Sequence, residues 1–103
     1  MEMIDIPNKE KLIKVMKKNH IIFAAVFGSR AKGIANPGSD YDLLVEFDPR
    51  EKIGFFKFFD IEENIKKTLS APVDLVTIYG LGRKRFKQEV LKTMKVLYDS
   101  RKR

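Results

Sequence analysis

The feature that most restricts how this chain can fold is an unbroken apolar run that stops at Gly28. The run reads Ile21-Ile22-Phe23-Ala24-Ala25-Val26-Phe27. Its short length, its β-branched and aromatic residues and its abrupt end favour a buried strand over a helix. We therefore predict that this segment is a central strand of a sheet.

Helical and extended patterns alternate on both sides of this run. Apolar spacing predicts helices over residues 8–19, 54–69 and 84–93, and a short helix over residues 29–33. Further strands are predicted over residues 42–47, 73–78 and 95–98. This alternation predicts the α/β (α+β) class, with a small mixed β-sheet flanked by helices. A chain of 103 residues has the length of one domain, so we predict a single domain over residues 1–103.

Cap and core positions follow from the same patterns. Asp5 or Asn8 can cap the first helix, and Pro7 suits its first turn. The predicted inward residues of the first and last helices are Leu12, Val15, Met16, Phe86, Val90 and Leu91. The long helix begins with four phenylalanines, Phe55, Phe56, Phe58 and Phe59. We interpret most of them as core residues and assign one or two to a patch that faces a partner.

The net charge of +7 is concentrated at one end of the sequence. Residues 1–79 contain twelve basic and twelve acidic side chains, whereas residues 80–103 contain nine basic and two acidic ones. The basic residues of this last quarter are Arg83, Lys84, Arg85, Lys87, Lys92, Lys95, Arg101, Lys102 and Arg103. Such a concentration indicates an anionic partner (a nucleotide, RNA or an acidic protein face), or else a solvated helix face with a frayed basic tail.

Composition excludes several classes of site. The chain has no cysteine, so a disulfide framework and a thiolate zinc site are both impossible. His20 is the only histidine, and we interpret it as a helix-end residue because no second His or Cys completes a metal site. No apolar run approaches the ~20 residues of a membrane span, and residues 1–5 lack the layout of a secretory signal. We therefore expect a cytoplasmic protein without a membrane partner.

Gly28 and Ser29 form the first candidate element of a functional site. They lie where the buried strand ends and a short helix begins, and backbone N–H groups and the helix dipole attract phosphate oxygens there. Glycine allows a phosphate to approach, the Ser29 hydroxyl adds a donor, and Arg30 and Lys32 supply positive charge nearby. A P-loop is excluded, because no Lys-Ser or Lys-Thr pair follows at the required spacing. The alternative is a plain turn.

Asp40 and Asp42 form the second candidate element. Because side chains alternate along a strand, we predict that the two carboxylates share one face while Tyr41 packs on the other. Neighbouring carboxylates repel unless a cation lies between them, and Mg²⁺ is the hard cation that suits oxygen ligands and triphosphates. Alternatively, Asp40 caps the turn over residues 36–39 and Asp42 is a hydrogen-bonded residue at the start of the strand.

Asp74 is the third candidate element. A carboxylate between Val73 and Leu75 is costly unless it faces a polar cleft or a metal. If the third predicted strand lies beside the second, Asp74 completes a triad with Asp40 and Asp42. Phosphoryl transfer uses such a set to hold two metal ions roughly 3.5–4 Å apart. The alternative is that Asp74 caps the preceding turn.

Together these motifs resemble those of the minimal nucleotidyltransferases of the DNA polymerase β superfamily. The matching segments are Gly28-Ser29-Arg30-Ala31-Lys32-Gly33, Ser39-Asp40-Tyr41-Asp42-Leu43-Leu44-Val45 and Val73-Asp74-Leu75-Val76. The resemblance covers about residues 21–98 and implies a polymerase-β-like nucleotidyltransferase fold. It implies that the nucleotide is bound by Gly28, Ser29, Arg30 and Lys32, that Asp40 and Asp42 hold two Mg²⁺ ions, and that Asp74 ligates the catalytic one. It further implies that Asp74 helps to deprotonate the acceptor.

The resemblance also implies a function and a partner. Proteins of this minimal type are paired with a separate helical HEPN-type protein, often as the antitoxin to an RNase toxin. The implied reaction moves AMP from ATP to a tyrosine hydroxyl of that toxin. Three alternatives stay open: nucleotide addition to an RNA end, to which the basic last quarter points, transfer to a small molecule, and stoichiometric masking of a toxin without catalysis.

Overall fold

The computed structural model describes residues 6–34, 38–82 and 84–101, the last range with its side chains from Phe86 onward. The helices are α1 Lys9–Lys18, α2 Gly28–Lys32, α3 Phe55–Leu69 and α4 Lys84–Thr93, and a 3₁₀ turn covers Ile78–Leu81. The strands are β1 Ile21–Phe27, β2 Tyr41–Phe47, β3 Val73–Thr77 and β4 Lys95–Asp99. The predicted helices and strands are confirmed, with ends that differ by about one residue.

The described strands form a four-stranded sheet in the order β3-β2-β1-β4. β1 runs antiparallel to β2 and β4, whereas β2 and β3 are parallel. Parallel neighbours need a long crossover connection, and α3 with its flanking loops provides it. The sheet is therefore mixed and flanked by helices, which confirms the predicted α+β class.

The sheet is covered on both faces. On one face, α1 and α3 pack against strand residues such as Leu43 through Leu12, Met16, Ile61 and Ile65. The second core, on the other face, joins Leu44, Leu81, Val90 and Met94 with part of β1. β1 supplies residues to both cores, which explains why its sequence is apolar without alternation.

The first helix begins differently from the prediction. Asn8 has a left-handed backbone (φ 59°) and its side chain does not cap α1. Its amide Nδ2 instead donates a 2.9 Å hydrogen bond to the carbonyl of Thr68 at the end of α3. Asn8 thus ties the start of one helix to the end of the other. His20 follows Asn19, the C-cap residue of α1, and its Nε2 lies 3.1 Å from Oε1 of Glu51, as expected of a helix-end residue.

The prediction that most phenylalanines of α3 are core residues is wrong. Phe55 and Phe56 are 82% and 83% exposed, and Phe59 is 52% exposed. Phe58 is partly buried, with its ring centroid 6.2 Å from that of Phe47. A helix buries only one stripe, and the stripe of α3 runs through Phe58 and Ile61, so the other rings point elsewhere.

The inward prediction for α4 is only partly confirmed. Val90 is buried, but Phe86 and Leu91 are 50% and 40% exposed. Some predicted features lie outside the described residues. They are Asp5, the first two residues of the predicted turn (36 and 37), Arg83, Lys102, Arg103 and the side chains of Lys84 and Arg85. None of the helices in the described ranges has the length and apolarity needed to cross a membrane.

Candidate active site

Gly28 lies where β1 ends and α2 begins, in a backbone conformation that favours glycine (φ +72°). A Cβ atom at this position would collide with the carboxylate of Asp42 and would lie 3.2 Å from its Cγ. The carboxylate therefore rests directly against the Gly28 backbone. The predicted phosphate-binding residue and a predicted metal ligand are in contact.

Strand register brings Asp42 and Asp74 together. In the parallel ladder between β2 and β3, these two residues are direct partners, and across the β1–β2 ladder Asp42 is opposite Phe27. Their neighbours Leu43 and Leu75 belong to the core under α1 and α3, so both carboxylates lie on the α4 side of the sheet. The condition set by the sequence, that the third strand lies beside the second, is confirmed.

The carboxylates affect one another electrostatically. Burial, then the Asp74 carboxylate and then that of Asp40 raise the pKa of Asp42 above its ordinary value. Each of these causes disfavours the ionised form of Asp42, and a bound cation would offset the two that come from neighbouring carboxylates. Oxygen donors that carry surplus negative charge suit a hard divalent cation. The side chains at Asp42 and Asp74 therefore fit Mg²⁺.

Asp40, unlike Asp42 and Asp74, lies outside the ladder between β2 and β3. It lies just before β2, whose first residue, Tyr41, donates its backbone N–H to the Pro72 carbonyl at 2.9 Å. It precedes the first paired residue of β2, so the strand ladder does not fix the direction of its side chain. Within the described ranges, no three Asp, Glu, His or Cys side chains already converge closely enough to hold a metal ion. The sheet builds the Asp42–Asp74 pair, whereas the part of Asp40 as a third ligand stays a prediction.

Arg30 contacts the segment that leads into β2. Its Nη2 donates a 2.7 Å hydrogen bond to the Ser39 carbonyl, and its guanidinium carbon lies 4.0 Å from the centroid of the Tyr41 ring. Tyr41 is buried, as predicted for a packing residue. Ser29 is partly exposed and Lys32 is exposed. The contacts of Arg30 fix the approach to Asp40, and nucleotide binding by these three residues stays a prediction.

Phe86 borders the site, although the sequence pattern assigned it to the core. Its ring meets that of Phe27 edge to face, with centroids 6.4 Å apart. Because Phe27 precedes Gly28 and pairs with Asp42, α4 reaches the same corner of the sheet. The helical periodicity of α4 carries no sign of this contact, which depends on how the helix crosses the end of β1.

Known proteins share this sequence pattern. Residues 10–103 match the family described as Polymerase beta, Nucleotidyltransferase. A Methanocaldococcus jannaschii protein named "Putative protein adenylyltransferase MJ1215" is 38% identical over 77 residues, which cover 74% of this chain and 85% of the relative. The protein adenylyltransferase MntA of Thermococcus cleftensis is 43% identical over 51 residues, or 50% of each chain.

Solved structures share the fold. A chain from a crystal structure of a toxin–antitoxin with AMP-PNP has a TM-score of 0.74 at 23% identity, over 91% of this chain and 75% of that chain. A chain from a complex of tri-AMPylated Shewanella oneidensis HEPN toxin with MNT antitoxin has a TM-score of 0.65 at 21% identity, over 89% and 70%. The family match covers Gly28 and both paired carboxylates. This chain is therefore an enzyme of the polymerase beta nucleotidyltransferase family.

Proposed function

We propose that this enzyme is an Mg²⁺-dependent protein adenylyltransferase, which moves AMP from ATP to a hydroxyl group of another protein. The observation that carries the proposal is the direct pairing of Asp42 with Asp74 beside Gly28. Phosphoryl transfer depends mainly on positioning and on neutralising charge, and this arrangement suits both tasks. The names of the relatives, which are called protein adenylyltransferases, support a protein as the acceptor.

The proposed role of each residue follows from its place in the site. The triphosphate would be bound by Gly28, Ser29, Arg30 and Lys32, and Mg²⁺ would be held by Asp40, Asp42 and Asp74. When bound, the metal supplies charge neutralisation at the transferring phosphoryl group. Asp74 is exposed, so an incoming hydroxyl can reach its carboxylate. That carboxylate accepts the hydroxyl proton while the acceptor oxygen bonds to the α-phosphorus and pyrophosphate leaves.

We further propose that the acceptor is a tyrosine of a helical HEPN-type RNase toxin and that the transfer is an antitoxin activity. Two structures of the same fold support this partner. One is described as an AMPylated HEPN toxin in complex with MNT antitoxin, and the other as a toxin–antitoxin with AMP-PNP, an analogue of ATP. The choice of a tyrosine as the acceptor rests on the motif resemblance.

A labelling experiment tests the proposal. The purified chain is incubated with its partner protein, Mg²⁺ and ATP labelled at the α-phosphate. Label should appear on the partner, and both Asp42→Asn and Asp74→Asn should reduce its rate of appearance by about 100-fold or more. Asp60→Asn is the matched control, because Asp60 is an exposed carboxylate of α3 on the other face of the sheet. This variant should label the partner at the normal rate.

Three outcomes would contradict the proposal. If label enters an RNA pool and never the partner, the chain extends RNA. If the Asp42→Asn and Asp74→Asn variants still protect cells from the toxin, protection comes from stoichiometric masking. If label appears equally with all three variants, the paired carboxylates are not the reacting site.

A further inference from the structure

A groove between α1 and α3 gathers positive charge on the side of the sheet away from Asp42 and Asp74. Four lysines line it, namely Lys11, Lys18, Lys57 and Lys67. The groove encloses about 460 Å³, and no Asp or Glu is among its described lining residues. These lysines belong to residues 1–79, whose charges sum to zero along the sequence. A segment with equal numbers of basic and acidic side chains therefore folds so that the charged residues lining this groove are all basic.

The groove lysines lack acidic partners within the described part of the chain. A neighbour on α3 gives the contrast, because Nζ of Lys66 lies 3.4 Å from Glu63 and 4.0 Å from Glu62. The side chains of the four groove lysines are exposed and make no ion pair or hydrogen bond with another described residue. Four ammonium groups without a described counter-charge make the groove electropositive, and an anionic strand laid along it would supply that counter-charge.

The spacing of the lysines suits a chain of phosphates. Lys11 and Lys18 are about 10 Å apart along α1, and Lys57 and Lys67 are about 15 Å apart along α3, from the helical rise of 1.5 Å per residue. One strand of nucleic acid carries a charge about every 3.4 Å in the helical form. Each row of lysines therefore spans about three to five phosphates. A concave groove also suits a single strand better than a convex duplex.

The lining argues against a protein partner. Protein interfaces depend on a few buried apolar or aromatic anchors. Of the side chains that line this groove, Val15 is the aliphatic one, and the remainder are lysines together with Asn19, Asn64 and Thr68. Lysines that meet a phosphate backbone need no such anchor, since the release of counterions drives binding. The exposed aromatic rings at the start of α3 are not among the lining residues.

We propose that this groove binds single-stranded nucleic acid through its phosphate backbone, without reading the base sequence. The strand lies across the outer surfaces of α1 and α3, so it does not occupy the candidate active site on the other face. The bound strand is a ligand, not the acceptor of AMP. Phosphate contacts of this kind give affinity and position but carry no sequence information.

Fluorescence anisotropy with a labelled 20-nucleotide oligouridine tests the proposal, and oligothymidine of the same length serves as the second probe. Both should bind with similar affinity, since both present the same backbone charge. Four phosphate contacts predict that the logarithm of the affinity falls with the logarithm of the salt concentration with a slope of about −3. Replacing Lys11, Lys18, Lys57 and Lys67 by glutamine should flatten this slope and weaken binding at least tenfold at low salt.

The matched control replaces four exposed lysines outside the groove by glutamine, namely Lys17, Lys52, Lys87 and Lys92. This control removes the same charge, includes two residues of the basic last quarter, and should keep most of the affinity. Arginine at the four groove positions should also keep it. An equal loss in both glutamine variants would place binding elsewhere on the surface. Saturable binding of polyglutamate, with none of either oligonucleotide, would overturn the proposal in favour of an acidic protein. Partner labelling should be unchanged in every variant.

Discussion

Replacing Gly28 by alanine should damage both stability and catalysis, for two separate reasons. A residue with a Cβ atom in the left-handed region costs about 1–2 kcal/mol, and Gly28 has φ +72°. The same Cβ atom would collide with the Asp42 carboxylate, which must then rotate or shift. A displacement of about 1 Å in a catalytic group can cost about 100-fold in rate. We therefore expect a modest loss of stability and a large loss of transfer activity.

Gly33→Ala isolates the first effect. Gly33 ends α2 with φ +74°, but an added Cβ atom would have no neighbour within 4 Å. This variant should lose stability only through the unfavourable backbone conformation, because its Cβ atom collides with nothing. Each kcal/mol lowers Tm by about 4–8 °C in a domain of this size. Both variants should therefore melt at least several degrees below the natural chain.

Thermal melting and the rate of partner labelling together separate the loss of stability from the loss of catalysis. Gly28→Ala should lose at least tenfold more activity than Gly33→Ala at a temperature where both variants are folded. If the two variants label the partner at the same rate, the contact between Asp42 and the Gly28 backbone has no catalytic role. If Gly28→Ala is fully stable, the backbone conformation assigned to this residue is wrong.

Three further predictions concern charge and packing. Asp42→Asn, which should slow labelling about 100-fold or more, should raise Tm in the presence of a metal chelator, because burial and the neighbouring carboxylates disfavour the charge of Asp42. A lower Tm would contradict this. The double variant Phe55→Ser with Phe56→Ser should change the free energy of unfolding by less than about 0.5 kcal/mol, since both rings are exposed. Phe58→Ser should cost more than about 1 kcal/mol by denaturant titration. Two hydrogen bonds from the Arg50 guanidinium and one from its backbone N–H lower the pKa of Asp48 to about 2. The ionised carboxylate therefore stabilises the fold at pH values above its ordinary pKa, and this stabilisation is lost as the pH falls towards 2. An NMR titration of the Arg50→Ala variant should show this pKa returning towards its ordinary value.

The secondary structure could be predicted from the sequence because it follows from local patterns, whereas the Asp42–Asp74 pair could be predicted only on the condition that the third strand lies beside the second. The apolar run of β1 requires cover on both faces, and the long helical pattern between the second and third strands is the crossover that a parallel pair needs. Once those strands are neighbours, the two aspartates near their starts lie at the same edge of the sheet. Side-chain alternation then places both on one face.

The features that the sequence could not supply depend on contacts between distant segments. The amide of Asn8 bonds to Thr68, sixty residues away, in place of the predicted helix cap. The four phenylalanines of α3 are equally apolar, and only the line of contact with the sheet decides that Phe58 packs while Phe55 and Phe56 do not. Asp40 lies one residue before the ladder begins, so alternation could not fix its direction.

The charge of the candidate site has a consequence for the binding of ATP, the proposed substrate. The candidate site presents the paired carboxylates of Asp42 and Asp74, which repel the triphosphate of an approaching ATP molecule. The site should therefore bind ATP weakly until Mg²⁺ offsets the carboxylates. Calorimetric titration should show at least tenfold tighter binding with Mg²⁺ than with a chelator, and Asp42→Asn should narrow this difference. Equal affinity under both conditions would mean that the triphosphate does not approach these carboxylates at all.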